Sequence, residues 1–360
     1  MGTLYVAGLS PEQITSSFKL DKPFRGQQIF RWVFKGAVSF DQMSDLGKDL
    51  REKLSLQATV YSCKTDAVYV DKDGSKKISV SLSDGLCVEA VCLCDKEGRK
   101  TACLSCQAGC PMACAFCLTG KLGFVRNLSS HEIVEQFLLL EKETGAISNV
   151  VFMGMGEPLL NLTEVQNAIA ILGDRRGKGL SPRRITVSTC GLVDEIRRLA
   201  DSGFKARLAV SLTVADQDLR EKLMPAAKAN PLPQLKAALL YFCEKTGKRV
   251  TLEAVLLHDV NTDQRSAQRL ADFTSSLDCY VNLIPWNRVE DLPFTTPTKQ
   301  ECETFLHSLE RMGVNAHLRH KKGGGICGAC GQLGKTIADD RMDNTGAVVK
   351  ADGNLCGDFS

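Results

Sequence analysis

The chain has 360 residues, of which 44% are hydrophobic and 24% charged, and its formal net charge is +3. This composition is ordinary for a globular protein with a sizeable core, and the net charge is too small to indicate nucleic-acid binding by itself. No apolar run approaches the length that crosses a bilayer, and the start MGTLYVAGLSPEQ has no basic stretch before an apolar core. We therefore expect neither a membrane protein nor a secreted one, and we place the chain in the cytoplasm.

Four segments follow one another along the sequence. Residues 1–62 place apolar residues at helical spacing, as in PFRGQQIFRWVFKG, and predict a small helical unit. Residues 63–96 alternate in hydrophobicity between the turn signals DKDG, SDG and DKEG, which predicts antiparallel hairpins linking this unit to the main domain. Residues 97–322 form the main domain, and residues 323–360 carry a glycine-rich loop and a weakly structured tail.

In the main domain, short β-rich runs alternate with amphipathic helical stretches. One helix opens with a capping box from Ser129 to Glu132, and the helix in TKQECETFLHSLERMG ends at a glycine. Strands that alternate with helices predict a parallel sheet with crossover helices, hence an α/β fold, and functional side chains are expected where the strands end. The predicted strands are NVVFM, RRITVST, ARLAVSL, RVTLEAVLL, CYVNLIP and NAHLR.

The sixteen cysteines indicate metal binding or thiol chemistry, because structural disulfides are rare in a reducing compartment. Cys110, Cys114 and Cys117 form a C-x3-C-x2-C triplet after the predicted strand TACLS. A 4Fe-4S cluster bound by only three thiolates leaves one iron open to a substrate or cofactor. The alternative is a zinc site in which Cys103 or Cys106 supplies the fourth thiolate.

The segments SQAGCPMACAFCLTGKLGFVRNL and VVFMGMGEPLLN, with RGQQIFRWVF, DGLCVEAV, VNLIPWN and ACGQL, resemble the ribosomal RNA adenine methyltransferases of the RlmN and Cfr family. The likeness runs along nearly the whole chain. It implies a partial (β/α) barrel of the radical S-adenosylmethionine (SAM) type, a 4Fe-4S cluster on the triplet, and S-adenosyl-L-methionine as the second cofactor. It also implies an RNA substrate and a one-electron donor such as flavodoxin.

The resemblance further assigns contacts with SAM to the ends of the predicted strands. In the family, the stretch that contains Gly156 and Glu157 here holds the amino group of the cofactor, and the alternative from the residues alone is a tight strand-to-helix turn. The family usually has histidine where Thr213 stands, and a threonine can donate a hydrogen bond but cannot titrate. The remaining contacts by family position are Ser188, Ser211 and Asn287.

Three residues acquire catalytic roles by the same resemblance. Cys330, in GGGICGACGQL, would receive a methyl group from one SAM and then lose a hydrogen atom to the radical made from another. The resulting carbon radical would add to an electron-poor ring carbon of adenine. Cys103 would attack the sulfur of Cys330 and release the methylated base as a disulfide forms. Glu89 matches the carboxylate that removes the adenine proton, and its alternative is a surface glutamate on a hairpin.

Cys327 departs from the family loop, which usually has no cysteine at this position. With Cys330 it makes a CxxC pair, so a redox dithiol or half of a zinc site is an alternative to the methyl-carrying role. As an extra thiol, it could compete with Cys103 for the disulfide.

Two basic segments flank the predicted site and suit phosphate contacts, with a solvated charged loop as the alternative. Three functions are consistent with the sequence. The first is methylation of carbon 2 of an adenine in 23S ribosomal RNA, with transfer RNA as a second candidate substrate; Pro158 after Glu157 favours it. The second is methylation at carbon 8 or of another RNA, as in Cfr, and the third is a non-catalytic, metal-binding RNA-binding protein. The basic residues are Arg175, Arg176, Lys178, Arg183 and Arg184, then Arg319, His320, Lys321 and Lys322.

Overall fold

The computed structural model describes residues 4–290, 292–334 and 337. The predicted helical character of the N-terminal unit is confirmed. Its first helix begins at Pro11, directly after the N-cap residue Ser10, which forms a capping box with Gln13. Two short parallel strands, which the sequence pattern did not predict, join the two ends of this unit. The elements are β1 (Leu4–Tyr5), α1 (Pro11–Ser17), α2 (Pro23–Phe34), α3 (Lys48–Ser55) and β2 (Ala58–Thr59).

The predicted hairpins follow, and each strand pairs antiparallel with the next. The turn between the first two strands is closed by Ser75, whose backbone nitrogen donates to Asp73 Oδ1 at 2.8 Å. These strands are β3 (Lys64–Val70), β4 (Lys76–Ser81), β5 (Cys87–Cys94) and β6 (Lys100–Cys103). A small separate sheet and one helical turn come next: β7 (Gln107–Gly109), α4 (Leu118–Lys121) and β8 (Phe124–Asn127).

The alternation of strands and helices in the main domain is confirmed. The helix over 130–144 has the predicted capping box between Ser129 and Glu132, and a second capping box joins Thr298 to Glu301. The strands are β9 (Asn149–Phe152), β10 (Ile185–Thr189), β11 (Arg207–Ser211), β12 (Val250–Leu256), β13 (Cys279–Pro285) and β14 (Ala316–Leu318). The helices are α5 (Ser130–Thr144), α6 (Leu162–Gly173), α7 (Val193–Asp201), α8 (Gln217–Leu223), α9 (Leu232–Thr246), α10 (Gln264–Thr274) and α11 (Lys299–Arg311).

One ten-stranded sheet contains both the hairpins and the parallel strands, in the order β14-β13-β12-β11-β10-β9-β6-β5-β4-β3. Strand β6 joins the two parts, because it pairs antiparallel with β5 and parallel with β9. The hairpins therefore extend the wall of the main domain as well as connecting it to the N-terminal unit. Within the described residues the edge strands β14 and β3 do not pair with each other, so the curved sheet is a partial barrel.

The N-terminal unit packs against the start of α5. The ring of Tyr5 stacks on His131 with centroids 4.6 Å apart, and a Cβ on Gly8 would lie 2.5 Å from His131 Cβ. Arg176, in the loop after α6, adds a bidentate contact with Glu12 of α1. In the described part of the chain, no helix is long and apolar enough to cross a membrane.

Candidate active site

A cleft with a cavity volume of about 160 Å³ opens at the carboxyl ends of the parallel strands. This is the edge at which active sites of such sheets are formed, because the loops that follow the strands converge there. Most of the predicted site residues meet in its wall: Cys110, Cys114, Cys117, Gly156, Glu157, Ser188, Ser211, Asn287 and Cys330.

The triplet lies in a loop that backbone hydrogen bonds fix on several sides. Cys110 N donates to Gly123 O at 2.9 Å, and Ala115 N donates to Leu223 O at 2.8 Å. Cys117 caps the short helix α4, and its backbone nitrogen donates a hydrogen bond to Cys114 O at 3.1 Å. The three thiols therefore face one cavity from a loop held in place by its neighbours.

The donor set fits an iron–sulfur cluster better than a single zinc ion. Thiolates around one zinc lie about 3.8 Å apart, given a Zn–S bond of about 2.3 Å and tetrahedral angles. Among the described residues, the triplet sulfurs do not form a group whose members all lie within 4.8 Å of one another, whether or not another cysteine joins them. A cubane places its ligands on separate irons and accommodates this wider spacing. Burial raises the pKa of the Cys110 thiol to about 12, so forming the thiolate without a metal is unfavourable, and coordination to iron would offset this.

The segment after β9 brings backbone and carboxylate close to the cleft. A Cβ on Gly154 would lie 2.6 Å from Leu104 O, and Gly156 has φ +101° with Gln107 Cβ 2.5 Å from where its own Cβ would be. Only glycine fits these two positions. Glu157 accepts hydrogen bonds from Leu159 N at 3.0 Å and Cys190 N at 2.7 Å, which orient its carboxylate. Burial raises the pKa of Glu157, and these donors act against the rise.

Four further strand-end residues were predicted to contact SAM, and the structure brings three of them to the cleft. Ser188 and Ser211 line it from β10 and β11, and Asn287 lines it after β13. Asn287 Nδ2 also donates to Cys330 O at 3.1 Å, so it supports the loop that carries Cys330. Thr213 instead lines a smaller neighbouring pocket, has φ +61°, and leaves its buried Oγ1 without a hydrogen-bond partner.

The loop that carries Cys330 is held by α4 and by the turn between β3 and β4. Leu118 N donates to Gly331 O at 2.8 Å and Thr119 Oγ1 donates to Leu333 O at 2.7 Å. At its beginning, Asp73 Oδ2 accepts from Gly323 N at 2.9 Å and Asp71 Oδ2 accepts from Gly325 N at 2.8 Å. Both aspartates belong to the turn between β3 and β4, so the hairpins position this loop.

Cys103 lies at the end of β6, where burial raises the pKa of its thiol to about 12 and the neighbouring Cys330 thiol adds to the rise. Arg319 follows β14 and is close enough to both cysteines to interact with them electrostatically. Its Nη1 lies 3.9 Å from Glu253 Oε2, and Glu253 lines the cleft. Arg319, which was predicted to contact RNA phosphates, therefore points into the site.

Glu89 is fully buried in β5, so the alternative of a surface glutamate is wrong. Its Oε1 lies 3.1 Å from Lys77 Nζ, and its Oε2 accepts from Gly334 N at 2.8 Å. The ammonium of Lys77 also lies 4.9 Å from the ring centroid of Tyr69. The carboxylate is therefore held between a buried lysine and the end of the Cys330 loop, and its role in proton removal stays a prediction.

The first basic segment is only partly available to a partner. Arg176 is paired with Asp174 and Glu12, and Lys178 is paired with Glu141. The exposed members are Arg175, Arg183 and Arg184, and in the second segment His320 and Lys321 are exposed as well.

Sequence reasoning missed several residues around the cleft. Arg220, Glu253 and Lys77 are buried charged side chains in segments whose patterns are typical of half-exposed elements. The register of β4 and β5 places Lys77 and Glu89 diagonally on one face, since Lys77 is opposite Val91 and Ser79 is opposite Glu89. A correct pairing of the hairpin strands would have revealed this contact.

Comparisons with known proteins agree with this geometry. The model of the radical SAM superfamily matches residues 104–270, and the model of the ribosomal RNA large subunit methyltransferase N-terminal domain matches residues 7–60. A probable dual-specificity RNA methyltransferase RlmN of Treponema denticola is 53% identical over 333 residues, which cover 92% of this chain and 96% of the relative. Its counterpart from Treponema pallidum is 50% identical over 331 residues, covering 92% and 97%.

A solved structure has the same fold over nearly its whole length. The crystal structure of a radical SAM methyltransferase from Sphaerobacter thermophilus superposes with a TM-score of 0.88 at 36% identity, covering 92% of this chain and 99% of that one. The expected α/β fold of the radical SAM type is thereby confirmed, as is the family resemblance. The chain belongs to the RlmN family of radical SAM RNA methyltransferases.

Proposed function

We propose that this enzyme methylates carbon 2 of an adenine in 23S ribosomal RNA and also acts on a transfer RNA. Supporting this are the relatives at 50% and 53% identity, which are named probable dual-specificity RNA methyltransferases RlmN. The single observation that carries the chemistry is the meeting of the cysteine triplet and Cys330 in one cleft, with Cys103 behind it. The enzyme would act in the cytoplasm.

The triplet would hold a 4Fe-4S cluster and the wall of the cleft would hold SAM. When bound, the cluster supplies the electron that cleaves SAM to a radical able to abstract a hydrogen atom. Glu157 has the charge and orientation to receive the cofactor's amino group, and Ser188, Ser211 and Asn287 offer hydrogen-bonding groups along the same wall. A one-electron donor such as flavodoxin would be required.

Cys330 would carry the methyl group as a thioether and present it to the base. An adenine ring carbon is electron-poor, so polar methyl transfer from SAM would fail there, whereas a carbon radical on the Cys330 sulfur can add to it. The radical adduct would first give up one electron to a one-electron acceptor and the proton of the ring carbon. Cys103 would then attack the Cys330 sulfur: the S–S bond forms, the C–S bond breaks with its electron pair going to the methylene carbon, and this carbon takes up the proton of the Cys103 thiol to become the methyl group. Glu89 is the proposed proton acceptor.

Residues 1–62 would form an accessory unit that grips RNA, with residues 63–96 as its link to a catalytic core at 97–322 and the cysteine loop from 323. The predicted tail lies outside the described residues apart from Ile337. Exposed Arg175, Arg183 and Arg184 are the proposed phosphate contacts. The target adenine has to leave its stack to reach the cleft.

Mass spectrometry of RNA from cells with and without the gene would identify the methylated carbon. Loss of 2-methyladenosine from both ribosomal and transfer RNA is the expected result, whereas loss of the carbon 8 isomer would support the Cfr-like alternative. Anaerobic reconstitution followed by iron, sulfide and zinc analysis addresses the non-catalytic alternative. Zinc without labile sulfide would contradict the proposal.

Two cysteine variants test the division of labour. We expect Cys330→Ala to abolish turnover while the cluster spectrum persists, and Cys103→Ala to leave RNA covalently attached to Cys330. Normal turnover by either variant would reject its assigned role. Cys103→Ala combined with Cys327→Ala is the matched control, because it shows whether the second thiol replaces the first.

A further inference from the structure

Arg220 is a fully buried arginine beside the cleft, on helix α8. Among the residues that the structure describes, its guanidinium donates to backbone carbonyls alone. Nη2 donates to Cys190 O at 2.7 Å, Nε to Leu212 O at 3.2 Å and Nη1 to Asn230 O at 3.4 Å. These bonds satisfy the polarity of the group but leave its charge uncompensated.

In the described part of the chain, no carboxylate oxygen lies within 4.0 Å of the Arg220 nitrogens, although other arginines of this domain have such partners. Arg126 is paired with Glu132, and Arg269 of helix α10 is paired with Asp216. An isolated charge in a protein interior is strongly destabilising unless an opposite charge compensates it. Arginine does not escape this by losing its proton. An anion near Arg220 in the working enzyme would supply this compensation.

The surroundings of Arg220 show where that anion would be. The carbonyl that Nη2 contacts belongs to Cys190, which lines the cleft and whose sulfur lies 3.2 Å from Met112 Sδ in the triplet loop. Helix α8 is bonded to the same loop through Leu223 O and Ala115 N. The guanidinium also lies within electrostatic range of Cys114. It thus lies directly behind the wall formed by the triplet.

A cluster bound at the triplet is the anion that this position lacks. A 4Fe-4S core with two positive charges becomes singly negative once three thiolates bind it, and one-electron reduction adds another negative charge. A fixed cation in a desolvated site favours the more negative state. We propose that Arg220 is the buried counter-charge of the cluster and raises its reduction potential, making it easier for the electron donor to reduce. This inference rests on the cluster assignment above.

The test is a spectroscopic redox titration of the anaerobically reconstituted, full-length enzyme without RNA. At the wild-type midpoint, Arg220→Gln is expected to lower the ratio of reduced to oxidised cluster roughly tenfold, equivalent to a midpoint about 59 mV more negative for one electron. Arg220→Lys keeps the charge and should stay near the wild-type midpoint. Arg269→Gln is the matched control, since it removes one positive charge from a partly exposed side chain that does not line the cleft, and should not move the midpoint.

The outcomes separate this inference from the proposed function. If the wild-type chain takes up no cluster, the proposed function fails. If it takes up a cluster and Arg220→Gln titrates as wild type, or if Arg220→Lys shifts as far as Arg220→Gln, the counter-charge role is overturned. Should Arg220→Gln not fold by circular dichroism, Arg220→Met takes its place, because it keeps a long apolar stem and removes the same charge. Iron content of each variant verifies that equal cluster loading underlies the comparison.

Discussion

The buried Lys77–Glu89 pair makes a quantitative prediction about the hairpin region. Neither side chain is more than 1% exposed, and the two charged atoms lie 3.1 Å apart. Removing either member takes away this contact between opposite charges inside the protein, which costs about 3–5 kcal/mol. We therefore expect Lys77→Met and Glu89→Gln each to lower the free energy of unfolding by about that amount, a large part of a typical total of about 5–15 kcal/mol.

The double variant should be far more stable than the sum of the two losses implies. Replacing both residues removes both charges, and glutamine at 89 keeps an oxygen that can accept from Gly334 N. We expect the double variant to lose no more than about 2 kcal/mol, with a coupling energy of about 4 kcal/mol or more between the two sites. The measurement is anaerobic urea unfolding of the cluster-loaded chain, followed by circular dichroism and tryptophan fluorescence.

The exposed pair Lys299–Glu303 on α11 is the control, because it has a similar separation of 3.6 Å in solvent. Its double-mutant cycle should give less than about 0.5 kcal/mol. Additive losses at Lys77 and Glu89, or a coupling as small as that of the control, would refute the reasoning. Activity of the double variant is a second readout, since a proton acceptor at Glu89 cannot be replaced by glutamine.

Three further predictions concern single positions. Thr213→Asn should stabilise the fold by about 1 kcal/mol, because asparagine tolerates the left-handed backbone that strains threonine, and SAM affinity by calorimetry should not change. Gly156→Ala should lower the free energy of unfolding by about 1–3 kcal/mol more than Gly36→Ala, because the added Cβ would meet Gln107 at position 156 and nothing at position 36. Equal losses in thermal unfolding would contradict the close approach of Gln107 to Gly156. Burial raises the pKa of Glu135 to about 7 from 4.5, so the folded state binds more protons between these values and wild-type stability falls as pH rises through this range. Between pH 4.5 and 7.5, the free energy of unfolding of Glu135→Gln should therefore rise by about 3 kcal/mol relative to that of the wild type. Urea unfolding measures both, and a difference between the two proteins that does not change with pH would reject this prediction.

The parts of the molecule that depend on local patterns were predictable from the sequence. The strand runs appear at the predicted places because each combines β-branched residues with flanking turn signals, and the capping box at Ser129 fixes the start of α5. The triplet and the Cys330 loop were found by their spacing and by family resemblance, and the cleft brings them together.

What the sequence could not predict depends on contacts between distant segments. Arg220 lies in QDLREKL, where a basic residue in a polar helix is typical of a solvated face, yet α8 turns it into the protein interior, where it donates to Cys190 O. Arg176 and Lys178 lie in a loop rich in basic residues, but Glu12 and Glu141 come from elements far away in sequence. The joining of the hairpins to the main sheet depends on the β5–β6 pairing, which leaves no signature in either strand alone.

The two thiols proposed to form the disulfide are held very differently. Cys103 lies in a strand that pairs with β5 on one side and β9 on the other, whereas Cys330 lies in a loop held by separate hydrogen bonds from Leu118, Thr119 and Asn287. A disulfide requires Cα atoms within about 6.8 Å, while a base attached to Cys330 requires more room. If the disulfide forms as proposed, the loop would make the adjustment between these two stages, because the sheet holds Cys103 in place on both sides.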